Sequence, residues 1–118
     1  MMRIKAISDD YITVEVRETL VEQDYTMVVP ELARLSARSR GELNVLFELR
    51  NFRGWDPPEL SMKARFDTQP VGTSGRIAVV GDDERSGRRL ARPLFAGELR
   101  TFQPHARRQA ERWLAGHA

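Results

Sequence analysis

The chain has 118 residues, 41% of them hydrophobic and 31% charged, with a formal net charge of +2 and no cysteine. That size suits a single domain over residues 1–118 with one core, and the missing thiols exclude disulfide staples, thiolate zinc sites and cysteine nucleophiles, with a reducing cytoplasm as the expected setting. Residues 1–5 alternate basic and apolar side chains instead of building the apolar block of a secretory signal, and no later run is long enough to cross a bilayer. Almost all the positive charge is arginine, which follows either from base composition, the simpler reading, or from a use for planar, phosphate-matching forks.

In chain order, residues 11–17 alternate strictly, with Ile12, Val14 and Val16 on one face, the pattern of a half-buried strand. Residues 3–7 pair with it through Ser8-Asp9-Asp10, where aspartates tolerate a tight turn, so the chain opens with a hairpin. Thr19-Leu20-Val21-Glu22 reads as a capping box, and Tyr25, Val28, Val29, Leu32 and Leu35 follow at helical spacing to about residue 40. Pro30 lies inside that stretch and removes the amide that would bond Thr26, which predicts one kinked helix and not two.

Leu43, Val45, Phe47 and Leu49 share a strand face while Leu46 on the other face is also apolar, so this strand is expected to be covered on both sides before it reaches a Gly54-Trp55 turn. Asp56 as cap, Pro57 in the first turn and Glu59 three residues past the cap predict a helix over 56–67. Residues 71–75 read as a flexible loop, Ile77-Ala78-Val79-Val80 as a central parallel strand ending at Gly81-Asp82, and residues 99–102 as a short last strand. Helix signals open the segments 83–95 and 104–115. The order ββαβαβαβα calls for an α/β fold with a mostly parallel sheet, an N-terminal antiparallel hairpin and helices packed on it.

These residues resemble a family. Asp24-Tyr25 with Pro30 in the first helix, the strand into Gly54-Trp55, Ile77-Ala78-Val79-Val80-Gly81-Asp82, Pro93 with Phe95, Phe102, and the closing Ala110 with Trp113-Leu114 look like the SpoIIAA-like members of the STAS superfamily, over nearly the whole chain. The resemblance implies a small STAS-type sandwich, related in shape to CRAL-TRIO lipid carriers, with proposed binding of small nonpolar molecules and no established enzymatic activity. Three positions depart from the family pattern: Glu18 stands where a glycine is usual before the first helix, Arg85 where an aromatic often follows the Gly-Asp, and Gln103 where the last helix usually has an acidic cap. The superfamily's anti-sigma-factor antagonists switch through a phosphorylatable serine, but the corresponding loop here, Asn51-Phe52-Arg53-Gly54-Trp55-Asp56, has no hydroxyl. Ser61, the nearest candidate, falls inside the predicted helix.

On the phase set by Asp56, Leu60 and Ala64 share one face of the helix over 56–67, and Met62 and Phe66 lie nearly opposite. Only one face can pack on the sheet, so the other meets a neighbouring helix, a partner or a ligand; core packing is the simpler reading, and Trp55 at the entrance has the same two readings. In the segment 83–95, Arg85, Arg88, Arg89 and Arg92 form a stripe, with Gly87, Leu90, Ala91 and Leu94 facing the other way. A solvated face explains the stripe, as does an anionic ligand head or membrane surface that relieves the repulsion among like charges.

The candidate ligand wall is therefore Trp55, Leu60, Met62, Phe66, Leu90 and Leu94, with Arg85, Arg88, Arg89 and Arg92 as headgroup contacts. His105 and His117 cannot be placed with a nucleophile or further ligands, Asp82, Asp83 and Glu84 fit a helix start better than a cation site, and Gly72-Thr73-Ser74-Gly75 lacks the lysine of a P-loop. No metal, cofactor, catalysis or nucleic-acid binding is expected. Two functions stay open: a noncatalytic carrier or sensor holding a small nonpolar or amphiphilic molecule between the helices of 56–67 and 83–95, or a STAS-type interaction module that uses the same helices to meet a protein partner or a second copy.

Overall fold

The computed structural model describes residues 1–39, 42–60 and 72–116. Among them, five strands form one sheet in the spatial order β1 (Met2–Ile7), β2 (Ile12–Leu20), β3 (Val45–Trp55), β4 (Gly72–Val80), β5 (Phe95–Phe102). The β1–β2 pair is antiparallel and every later pair is parallel, as the opening hairpin and the β/α alternation predict. Three helices accompany these strands: α1 (Glu22–Arg38), α2 (Glu84–Ala91) and α3 (Arg107–Leu114), the last preceded by a 3-10 turn at Pro104–Ala106. Beyond Leu60, the helix expected over 56–67 lies outside the described residues, and with it Ser61, Met62, Ala64 and Phe66.

The period-two pattern sorts side chains into two cores. On one face Ile12, Val14, Val16, Val45, Phe47, Ile77 and Val79 meet Tyr25, Val28 and Leu32 of α1 and Leu90 and Ala91 of α2. On the other, Leu46, Ala78 and Val80 meet Ala110, Trp113 and Leu114 of α3. The central strands are thus apolar on both sides, as the run around Leu46 anticipates. Trp113 is gripped from the sheet: the guanidiniums of Arg76 and Arg100 lie 5.2 and 5.0 Å from its ring centroid, and Arg76 Nη1 donates to its carbonyl at 2.5 Å. Gly87 lets α2 approach the sheet, since a Cβ there would lie 2.6 Å from Val79 Cγ1.

Several local expectations give way to sheet pairing. Thr19 does not cap α1, because β2 runs on to Leu20 and pairs Thr19 with Gly54 and Leu20 with Trp55. Asp24 does the capping instead: its Oδ2 accepts from the Val21 amide at 2.8 Å and its Oδ1 from Met2 N at 3.3 Å, tying the helix start to β1. Pro30 lies within one continuous helix, as expected, and the Thr26 hydroxyl, one turn earlier, donates to the Glu22 carbonyl at 3.2 Å.

Gly54 and Trp55 belong to β3 itself and not to a turn after it. Residues 56–59 are bend and turn, Leu60 N donates to Pro57 O at 2.9 Å, and helical backbone begins only at Leu60, so Asp56 is not a helix cap. Gly72 to Gly75 extend β4, pairing with β5 from Phe95 onward, where a loop and a shorter last strand were expected. Asp83 caps α2 as expected, accepting from Ser86 N at 3.1 Å and from its hydroxyl at 2.8 Å.

Candidate functional site: a groove at the strand ends

The carboxyl ends of parallel strands are where open α/β sheets place their ligands, and here β2 and β3 end irregularly. Their register jumps between Arg17, opposite Arg50, and Thr19, opposite Gly54, so the single residue Glu18 faces the three residues 51–53. Both sides of the bulge use left-handed backbone, Glu18 at φ 55° and Asn51 at φ 52°. The bulge brings Phe52 edge-on to Trp55, ring centroids 5.2 Å apart at 86°.

Trp55 is pinned in turn. Its Nε1 donates to the Tyr25 hydroxyl of α1 at 2.7 Å in a buried contact, and the Arg89 guanidinium of α2 lies 5.0 Å from its ring centroid. One indole thereby joins β3, α1 and α2. Burial raises the Tyr25 pKa above its usual 10.0, against a smaller lowering by the Trp55 hydrogen bond, so the phenol stays neutral.

Beside this knot lies an open groove of about 930 Å³, lined by Phe52, by Asp82, Asp83 and Glu84 at the start of α2, and by Arg85, Arg88 and Arg89. Asp83 is held as the helix cap, its pKa lowered chiefly by the Ser86 hydroxyl, and Glu84 pairs with Arg88 at 3.2 Å. Asp83 and Glu84 therefore have structural tasks. No group of three or more His, Cys, Asp or Glu gathers as a metal site among the described residues.

The sequence-derived site residues divide accordingly. Arg85, Arg88 and Arg89 come together on the groove, and Trp55 backs it through Arg89. Leu60, Leu90 and Leu94 are buried in the larger core. Arg92 turns away, donating to the Gly97 carbonyl at 3.0 Å. Phe52 was not singled out from the sequence, because only the three-residue bulge aims it at the groove. Of the two histidines, His105 is exposed in the turn before α3, and His117 lies outside the described residues.

A second charged constellation also escapes the sequence. Glu15 of β2 and Glu48 of β3 are register partners on the face away from the larger core, with side chains only 1% and 5% exposed. Arg3 Nε reaches Glu15 Oε1 at 2.8 Å and Arg17 Nη2 lies 3.3 Å from Oε2; Lys5 Nζ lies 3.3 Å from Glu48 Oε1, with Arg50 and Arg107 also bonded to that carboxylate. Glu15 lies one side-chain layer below solvent, roofed by these cations, and the hydrogen bond from Arg3 leads in lowering its pKa. For Glu48, burial is the largest single influence and acts upward, but the hydrogen bonds from Arg107, Arg50 and Lys5 together outweigh it and bring the carboxyl down to about 2.

An antiparallel hairpin leading a parallel sheet, with helices on both faces and no helix long and apolar enough to cross a membrane among the described residues, defines a small α/β domain of the STAS class. The family model described as SpoIIAA-like matches residues 11–115, and the chain belongs to that family. Its fold is similar to the crystal structure of an uncharacterized protein from the DUF3478 family, with a SpoIIAA-like fold, from Shewanella loihica PV-4: 22% identity, 97% of this chain and 92% of that one covered, and a TM-score of 0.59. At that identity the likeness bears on the fold alone. No curated protein matches the chain. The left-handed φ at Glu18 is a backbone conformation that favours glycine, in keeping with the glycine that the family resemblance implies at this position.

Proposed function

We propose that this protein is a noncatalytic binding domain for a small amphiphile with an anionic head, taken up in the groove beside α2. One observation carries the reading: Arg85, Arg88 and Arg89 border the same groove as the partly buried Phe52, at the carboxyl ends of β3 and β4, against a tryptophan fixed from two helices. Guanidinium forks suit a carboxylate or phosphate head, and an aromatic edge suits the apolar part beneath it. Glu84 and Asp83 temper the positive field without adding a nucleophile and base, which supports binding over catalysis.

The test is organic extraction of protein purified under native conditions, followed by mass spectrometry, together with native mass spectrometry after incubation with fatty acids and alkyl phosphates. A stoichiometric adduct that weakens in the Arg85→Gln/Arg88→Gln double variant is expected. Absence of any adduct in the unaltered protein would overturn the proposal.

A further inference from the structure

The sheet face that holds Glu15 and Glu48 is separate from the groove. On this side α3 packs over β3, β4 and β5, and among the described residues no helix lies across β1 and β2. Two adjacent carboxylates are buried there, and a layer of cations sits above them. The side chains of Arg3, Lys5, Arg17, Arg50 and Arg107 are 57%, 36%, 46%, 52% and 35% exposed. Apart from Glu111, which accepts from Arg107 Nε at 2.9 Å and is 37% exposed, the charged side chains that reach solvent from this arrangement are positive.

A merely solvated face needs no buried carboxylates, whose desolvation is costly. Their effect here is to gather the cations, since Arg3 and Arg17 converge on Glu15, Lys5 and Arg107 converge on Glu48, and Arg50 reaches both, bonded to Glu48 and 3.7 Å from Glu15 Oε2. Each arginine fork has five N–H donors and spends only one or two of them inward. With the side chains of Arg3, Arg17 and Arg50 46–57% exposed, the remaining donors are open to solvent, an arrangement matched to several carboxylates at once.

We propose that this face docks an acidic segment of a partner protein, whose Asp and Glu side chains accept from the outward N–H groups of Arg3, Arg17 and Arg50. The other polyanions fit less well. Of the large exposed apolar residues of the described chain, Met1, Ile7, Val21 and Met27, Met1 lies beside this face, its backbone paired with Arg17, and a single methionine is a weak anchor in a bilayer. Nor, among the described residues, does an exposed aromatic stand with them to stack on nucleic-acid bases.

The experiment is a residue-resolved NMR titration of the full chain with a poly-glutamate peptide at low ionic strength, repeated with phosphatidylserine vesicles and a single-stranded oligonucleotide. Shifts at Arg3, Lys5, Arg17 and Arg50 that fade with added salt are expected, as is an affinity loss of about tenfold in Arg3→Gln/Arg17→Gln but none in Arg85→Gln/Arg88→Gln. No shift at millimolar peptide, shifts confined to α2, or tighter binding to the vesicles or the oligonucleotide would overturn the proposal. Mapping on the unaltered chain decides the matter even if the double variant does not fold.

Discussion

Replacing Glu48 by Gln removes the charge on which Lys5, Arg50 and Arg107 converge, and its cost can be followed by pH. The folded carboxyl sits at about 2 against an ordinary 4.5. That gap is worth roughly 3 kcal/mol at about 1.4 kcal/mol per pH unit, and water around partners that are 35–52% exposed reduces it to about 1–2 kcal/mol. Because the folded pKa lies below the unfolded one, this stabilisation is complete above about pH 4.5 and is lost as the pH falls toward about 2. Urea unfolding of wild type and Glu48→Gln should therefore differ by about 1–2 kcal/mol near neutral pH, and by much less near pH 3, with unchanged m-values. An equal difference at both pH values would refute the electrostatic account and leave a packing effect.

Further consequences concern the bulge, the tryptophan knot and the α2 contact. Glu18→Gly relieves a left-handed residue at φ 55° and should stabilise the protein by about 0.5–1 kcal/mol in thermal or chemical unfolding, whereas Glu18→Val should destabilise it. Tyr25→Phe removes the acceptor of the buried Trp55 indole N–H and should cost about 1–3 kcal/mol, with altered intrinsic tryptophan fluorescence. Gly87→Ala places a Cβ 2.6 Å from Val79 Cγ1, so α2 must lift from the sheet at a cost of about 1–3 kcal/mol, visible as a lower urea midpoint.

The fold was legible in the sequence wherever apolar period and length agreed. Ile12, Val14 and Val16 marked one face of β2, Leu46 marked β3 as covered twice, and Asp83 marked the start of α2. The failures share a cause. Thr19, Gly54, Asp56 and residues 72–75 all carry local signals for caps, turns or loops, yet all but Asp56 are strand residues because hydrogen bonds to neighbouring strands outweigh local preference. Asp56 keeps a turn signal but lies in a bend instead of opening a helix.

The lining of the groove was half visible. Three of the four arginines in the α2 stripe do line the groove, and Arg92 falls off it because the helix ends at Ala91 and the chain then turns toward β5. Phe52 depends on a bulge that no period reveals. The Glu15–Glu48 pairing depends on strand register, a non-local property, although a glutamate opposite the apolar face of each strand was readable as a hint.

The claim that the groove beside α2 takes an anionic amphiphile is tested most directly by titrating isotope-labelled protein with a fatty acid below its micelle concentration and reading every amide and the Trp55 indole N–H. The account predicts saturable shifts centred on Phe52, Trp55, Arg85 and Arg89. Saturation with those signals unmoved, or no response at any concentration, would contradict it.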